Sequence, residues 1–342
     1  CSAGYYYTVN NNCKEAFEHI INLKMNTGRE LLEKEKKQSP QNLAPYFLEN
    51  YINFFSCFIT EQKSEFEALK KGFDERRDLL EQGPRTSPFY LFSQAQLNLQ
   101  TALIRFKFKE YATGAYEIRK CNKLLEENQK LFPNFKANLL YLGLLHSLLG
   151  TVPEEYRWIG SIVGLRGSIK QGMAELNSMI ASCKGSEYEY LYSEGMLTLA
   201  LLNIYLQRDP EASRRTMVKL AETHKEPGGL KSFMLAAIAI HSGHSEDMIE
   251  VYNKRPVGSD YLYVSYLDYQ MGQAKLFRMD KDAPIYFNKY ISLFKGSSFI
   301  KASYQKIAWS YLVQDNTDKY KENIALCITR GGHASIDEDK QA

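Results

Sequence analysis

His241 and His244 flank Ser242-Gly243. Two imidazoles at that spacing could share a metal ion, but a zinc site asks for three or four ligands. Only Glu246 and Asp247 stand close, and both suit the positive end of a helix that starts behind an N-cap at Ser245. No metal site is expected. The glycines at 160, 164 and 167 suggest a phosphate loop, yet no lysine follows and the flanks read as helix, so close helix packing accounts for them better. Glu126-Glu127 and Glu154-Glu155 are adjacent carboxylates. Neighbours on a helix point to different faces, so neither pair makes an acid–base couple. His19, His146, His224 and His333 stand apart from any recognisable nucleophile. No catalytic residue is expected, and the chain reads as a non-enzyme.

Two basic groups, Lys70-Lys71 with Arg76-Arg77 and Arg105, Lys107 and Lys109 interleaved with Phe106 and Phe108, could contact nucleic acid. With a net charge of only +3 they read instead as solvated helix faces, and no nucleic acid is expected. Six cysteines at 1, 13, 57, 121, 183 and 327 show no CxxC spacing, which disfavours zinc ribbons and thioredoxin-type redox sites. Cys57 and Cys327 lie in apolar runs and read as core. The best candidate for a recognition surface is the series Tyr261, Tyr263, Tyr266 and Tyr269, with Tyr188, Tyr190 and Tyr192 as a second group. Tyrosine offers large contact area at low entropic cost, although packing between hairpins would use the same residues.

The elements that must position these residues are helical. Apolar residues recur at spacings of three and four, as in Phe17, Ile20, Ile21 and Leu23. No alternating strand with a hairpin turn is evident. The pattern predicts helices near 11–37, 42–60, 63–82, 87–108, 110–131, 134–149, 153–164, 167–183, 187–207, 210–225, 228–242, 246–254, 260–278, 281–295, 298–313 and 317–330. Asp209-Pro210-Glu211 is a helix start, with an N-cap carboxylate and a proline at the first position. Ser186 with Glu189, and Ser335 with Glu338, read as capping boxes. The apolar stretch from Ala137 to Pro153 is interrupted by His146 and Gly150 and fits a buried helix better than a membrane span.

Starts near 187, 228, 260 and 298 bracket a repeat of about 34 residues. Met271-Gly272-Gln273-Ala274, Asp280, Ala283 and Tyr286-Phe287 with Tyr290 resemble a tetratricopeptide repeat, as do Ala302, Ile307-Ala308-Trp309 and Tyr320 with Ala325. The segment from Gly143 through Gly150, Pro153, Trp158, Gly164, Gly167 and Gly172 is similar to the middle of a helical-repeat family that includes a mitochondrial outer-membrane protein. These resemblances imply an all-α fold of antiparallel helical hairpins stacked as a tetratricopeptide-like superhelix, an α-solenoid, and a scaffold that binds protein partners.

Cys1 followed by Ser2-Ala3-Gly4 resembles the start of a bacterial lipoprotein after signal-peptide cleavage. The expectation is a lipidated Cys1 and no other cofactor. Residues 1–10 would be a tether with Tyr5, Tyr6 and Tyr7 at the lipid interface. Residues 11–342 would form a single helical-repeat domain continuing beyond the chain end. That places the protein on the outer membrane of a Gram-negative bacterium, periplasmic face. The protein partners would be outer-membrane or periplasmic, possible components of an assembly or secretion complex. Competing readings are a glycan-binding outer-membrane lipoprotein and an organelle-membrane scaffold linked to lipid handling.

Overall fold

A computed structural model describes residues 4–150, 167–224, 228–330 and 336–342. Cys1, Trp158, Gly160, Gly164, His333, Ser335 and the helix predicted at 153–164 lie outside the described residues. Among those described there are seventeen α-helices and one 3-10 turn, with two isolated bridges and no named strand. In the first part of the chain they are α1 (Asn11–Ile21), α2 (Met25–Gln38), α3 (Ala44–Thr60), α4 (Lys63–Leu80), α5 (Pro88–Lys107), α6 (Tyr111–Leu131), α7 (Asn138–Leu149), α8 (Ile169–Ser182), α9 (Tyr192–Tyr205) and α10 (Pro210–Thr223). The rest are α11 (Gly229–His241), α12 (Ser245–Lys254), α13 (Tyr266–Phe277), α14 (Ala283–Leu293), α15 (Ile300–Leu312), α16 (Thr317–Arg330) and α17 (Asp337–Gln341). The molecule is all-α. Helices pair as antiparallel hairpins, α1 with α2, α5 with α6, α7 with α8, α9 with α10, α11 with α12, α13 with α14 and α15 with α16.

The packing divides the chain, read from sequence as one domain over 11–342, into two compact units. Unit 1 takes Cys1–Phe58, Lys63–Glu226 and Gly258–Leu262, and unit 2 takes Ile59–Gln62, Pro227–Val257 and Tyr263–Ala342.

In unit 1 the expected helix 11–37 is two. Leu23 stands at φ 61°, and the Asn22 side chain turns back to donate to the Glu18 carbonyl at 2.9 Å. Residues 258–262 lie along this break. Leu262 N–H donates to Leu23 O at 2.9 Å and Met25 N–H to Asp260 O at 3.1 Å. Asp260 then caps α2, its carboxylate accepting from Thr27 N–H at 2.9 Å and Thr27 Oγ1 at 2.7 Å. The expected tether is also not free. Tyr6 N–H donates to Gln41 O at 3.0 Å, Leu43 N–H to Tyr6 O at 2.8 Å, and Tyr7 Oη to Leu80 O at 2.8 Å. Tyr7 is thereby turned into the body, while Tyr5 and Tyr6 stay exposed.

The unit 1 core stacks aromatic rings. Phe135 stands 5.1 Å from Phe89 and 5.4 Å from Phe92, and Phe92 stacks on Tyr141 at 5.2 Å. Helix α7 is the buried helix expected from its apolar run, and no described helix is long and apolar enough to cross a membrane. Helices α7 and α8 approach backbone to backbone. A Cβ on Gly143 would stand 2.7 Å from Gly172 O, and one on Gly172 would land on Gly143 O and the Ser147 hydroxyl. In unit 2, Tyr269, Ala283, Phe287, Tyr290, Ala302 and Ile307 form one buried cluster, and Gly272 leaves the room that the Phe287 ring fills.

Caps explain several helix starts and correct others. Asp209 accepts from Ala212 N–H at 2.8 Å with Pro210 behind it, as the sequence indicates. Ser186 is no N-cap: its hydroxyl donates to Cys183 O at 2.7 Å, and α9 begins only at Tyr192 after a 3-10 turn. The residue before α12 is His244 rather than Ser245, and α17 opens behind Ile336. Residues 260–265 are not part of the helix predicted there; α13 starts at Tyr266.

Gly172→Ala is expected to destabilise the chain by about 2–3 kcal/mol, because backbone cannot yield as a side-chain tip can. Gly4→Ala, with open space around it, is the neutral control. Urea unfolding of both variants checks the contrast.

Candidate functional site

The Tyr261–Tyr269 series does not form one surface. Tyr261 belongs to unit 1, where it bridges to Lys24 with the ammonium 5.3 Å from its ring. Tyr269 is fully buried in the unit 2 core. Tyr266 packs half-buried between Phe233, Tyr269 and Phe299, at 4.6 Å from the last. Only Tyr263 is an open ring, 41% exposed. In the second group Tyr188 packs on Phe135, Tyr190 on Phe17, and Tyr192 stacks on His224.

Tyr263 is held by a residue that sequence reasoning missed. Asp268, in the first turn of α13, is fully buried, and three donors converge on it. Tyr252 Oη donates to Oδ1 at 2.6 Å, Tyr263 Oη to Oδ2 at 2.5 Å, and Lys289 Nζ pairs with Oδ1 at 3.0 Å. Lys289 also donates to Tyr252 Oη at 3.1 Å and lies over the Tyr263 ring at 5.4 Å. The Arg255 guanidinium stacks 3.6 Å from the centre of the Tyr252 ring. Four elements meet here: α12, the segment before α13, α13 itself and α14.

The electrostatics make this a brace that carries a surface. Burial works against the Lys289 charge, but its bonds to Tyr263, Asp268 and Tyr252 outweigh that and hold the ammonium well above the usual lysine range. Burial, helped by the bond to Asp268, pushes the Tyr252 phenol up to about 12. Both carboxylate oxygens are occupied, so the group is poorly placed to take a proton from a substrate. What the cluster presents outward is the Tyr263 ring with the cations Lys289 and Arg255, and tyrosine and arginine are residue types enriched at protein contacts.

Unit 1 holds a second buried carboxyl. Tyr51 Oη donates to Glu194 Oε2 at 2.6 Å and lies 2.6 Å from Tyr141 Oη. Glu194 keeps some side-chain surface, yet its carboxyl is enclosed, and burial lifts its pKa to about 8 against the opposing Tyr51 bond.

The remaining candidates resolve into packing. Lys70, Lys71, Arg76, Arg77 and Arg105 all pair with carboxylates, and Lys107 lies 4.3 Å over the Phe58 ring. Phe108 stacks on Phe66 at 4.3 Å. Cys13, Cys57, Cys121, Cys183 and Cys327 are buried and outside any disulfide among the described residues, and burial pushes the Cys13 and Cys183 thiols up to about 12, away from reactivity. His244 faces Asp247 at 3.5 Å, and among the described residues no group of three His, Cys, Asp or Glu could hold a metal ion.

No family model matches the chain, and no curated protein matches its sequence. Among solved structures it is similar to a tetratricopeptide repeat protein from Parabacteroides merdae, at 14% identity and a TM-score of 0.40, over 90% of this chain and 99% of that one. That likeness is too distant to add to the fold, which stands on the helix pairing above.

Two outcomes follow from the carboxyls. Below about 4.5 the folded and unfolded chains both hold the Glu194 proton; from there to about 8 only the unfolded chain releases it, so stability falls with rising pH and then levels off. Glu194→Gln is expected to remove that slope and to be more stable at pH 8 by on the order of 3 kcal/mol. Urea midpoints at pH 5 and 8 decide, and an unchanged slope in the variant excludes Glu194 as its source. Asp268→Ala strands Lys289 and two phenols, and should cost about 3 kcal/mol in the same assay.

Proposed function

We propose that this chain is a non-enzymatic scaffold that binds a protein partner through unit 2. The observation that carries the reading is apolar side chain left in water at the hairpin turns. Phe277 (58% exposed), Met279 (70%) and Ile285 (64%) flank the α13–α14 turn. Leu312 (49%) and Val313 (50%) close α15. A single exposed leucine needs no explanation, but contiguous exposed apolar surface marks interaction sites, and these residues are the ones that could form it. Tyr263, Lys289 and Arg255 add aromatic and cationic contacts on the same unit. The saturated carboxylate beneath them favours recognition over chemistry.

The finer reading places the scaffold on the periplasmic face of an outer membrane, held by acyl chains on Cys1 and serving an assembly or secretion complex. Two acyl chains anchor firmly where one binds marginally. The exposed rings of Tyr5 and Tyr6 near that residue support it, since aromatic rings favour the lipid interface.

Cross-linking in native membranes is expected to capture a protein partner with the wild-type chain. The double variant Phe277→Ser, Leu312→Ser should lose about 90% of that capture while unfolding at nearly the same temperature, because exposed substitutions cost little stability. Undiminished capture would remove these turns from the interface. Mass spectrometry of the native N-terminus tests the anchor separately: a free amine on Cys1 excludes it and leaves the scaffold standing.

A further inference from the structure

Asn98 Oδ1, Thr101 Oγ1, Arg105 Nε and Glu117 Oε2 lie inside the α5–α6 hairpin of unit 1, and none has a hydrogen-bond partner among the described residues. Asn98, Thr101 and Glu117 are buried, and the Arg105 side chain keeps 15% of its surface. A buried polar atom without a partner costs the fold its full desolvation, so native cores seldom hold several together. Two of these side chains also depart from habit. Thr216 and Thr329 return their hydroxyls to the carbonyl four residues back, at 2.9 and 2.8 Å, and Thr101 does not. The Asn98 amide is spent on Gln94 O at 2.6 Å, which leaves its oxygen for another donor.

The four groups share one interface. Asn98, Thr101 and Arg105 are spaced three and four apart on α5, so they line one side of it. That side faces α6, because Arg105 pairs with Glu110, the residue before α6. Asn128 Nδ2 donates to Pro88 O at 2.9 Å at one end of the hairpin, and the Phe106 ring lies against Gly114 at the other. Between those two contacts Thr101 comes level with Glu117, and Asn98 with the buried Cys121. The charge of Arg105 acts on the Glu117 carboxyl across the same interface. From Asn98 to Arg105 the helix rises about 10 Å.

We infer that the α5–α6 interface binds a short file of ordered water molecules between Asn98, Thr101, Arg105 and Glu117. The inference does not depend on the scaffold reading. The four atoms select the ligand. The Asn98 carbonyl and the Glu117 carboxylate accept, the Arg105 Nε–H donates, and the Thr101 hydroxyl does both. A ligand that joins them must donate and accept from one small atom, as water does. A metal ion or an ammonium offers the guanidinium N–H no lone pair and is repelled by its charge. An anion has no proton for Asn98 or Glu117. A buried water makes about three hydrogen bonds, so two or three of them, at a spacing of about 2.8 Å, cover the span. They tie α5 to α6 through bonds that no side chain supplies.

The probe is water itself, counted on the full chain by water relaxation dispersion, which reads internal molecules that exchange slowly. The double variant Asn98→Leu, Thr101→Val removes two of the partners, and it should hold about two fewer long-lived waters than the native chain. An equal count in the two chains overturns the inference. Thr101→Val alone gives a second reading by its sign. Valine keeps the shape of threonine, so deleting a hydroxyl that holds water lowers the urea midpoint, whereas deleting a dry, unpartnered one raises it. A lowered midpoint is expected, and a raised one overturns the inference. Where the double variant fails to fold, a crystal structure of the native chain decides. Water within about 3.2 Å of Thr101 Oγ1 and of Glu117 Oε2 is expected, and a dry interface there overturns the inference.

Discussion

A helix hairpin with one apolar face cannot cover that face by itself, and the rest of this structure depends on that constraint. Tyr269 on α13 is buried only because Phe287 and Tyr290 on α14, and Ala302 on the next hairpin, close around it. Stacking in turn fixes residue size. Where backbones must nearly touch, only glycine fits, as at Gly143 against Gly172. Where a ring must fill the gap between helices, glycine opposite it makes the room, as Gly272 does for Phe287. Close packing of this kind leaves no slack, so a single methyl at a contact is felt as strain.

The same stacking buries polar groups, and the fold treats them in two ways. Glu35 is nearly fully buried, yet it accepts from Asn10, Asn12 and Asn42. Burial raises its pKa, but those bonds outweigh burial and hold the carboxyl below the usual range. Glu49 is held low in the same way by Arg76 and Lys36. Glu194 has one phenol where Glu35 has three amides, and desolvation wins. The number of donors therefore decides whether a buried carboxyl stays charged. Asp268 also has three donors, which tie together four elements of unit 2 and fix the Tyr263 ring at the surface.

Helix content was legible because the apolar period of α3, α5 and α14 is a local property. The packing roles of Gly272, Ala283 and Phe287 were legible too, since their spacing resembles a repeat whose small and aromatic positions have fixed jobs. The break at Leu23 was not. Apolar residues continue on both sides of it, and the partner that stabilises it, residues 258–262, lies more than two hundred positions away. The tyrosine series failed for a related reason. A regular spacing from 261 to 269 looks like one face, but the helix begins at Tyr266, so Tyr261 and Tyr263 lie outside it. Asp268 gave a faint signal, an acid inside an aromatic stretch. Nothing near it in sequence indicated that Tyr252 and Lys289 would meet it.

Caps show the limit of local reading most sharply. The Asp209 cap is read correctly because donor and acceptor lie three residues apart. Ser335 with Glu338 reads as the start of a helix, and one begins at Asp337, yet the amides Asp339 bonds are those of α15. Asp260 does the same for α2. In each case a helix that lacks a capping side chain of its own receives a carboxylate from a distant segment. The exchange orders both partners: the helix gains an acceptor for its open amides, and the segment gains a fixed position it could not hold by its own backbone bonds. Such a contact ties stability to a few hydrogen bonds, each worth about 1 kcal/mol. It is therefore much easier to open than the stacked cores.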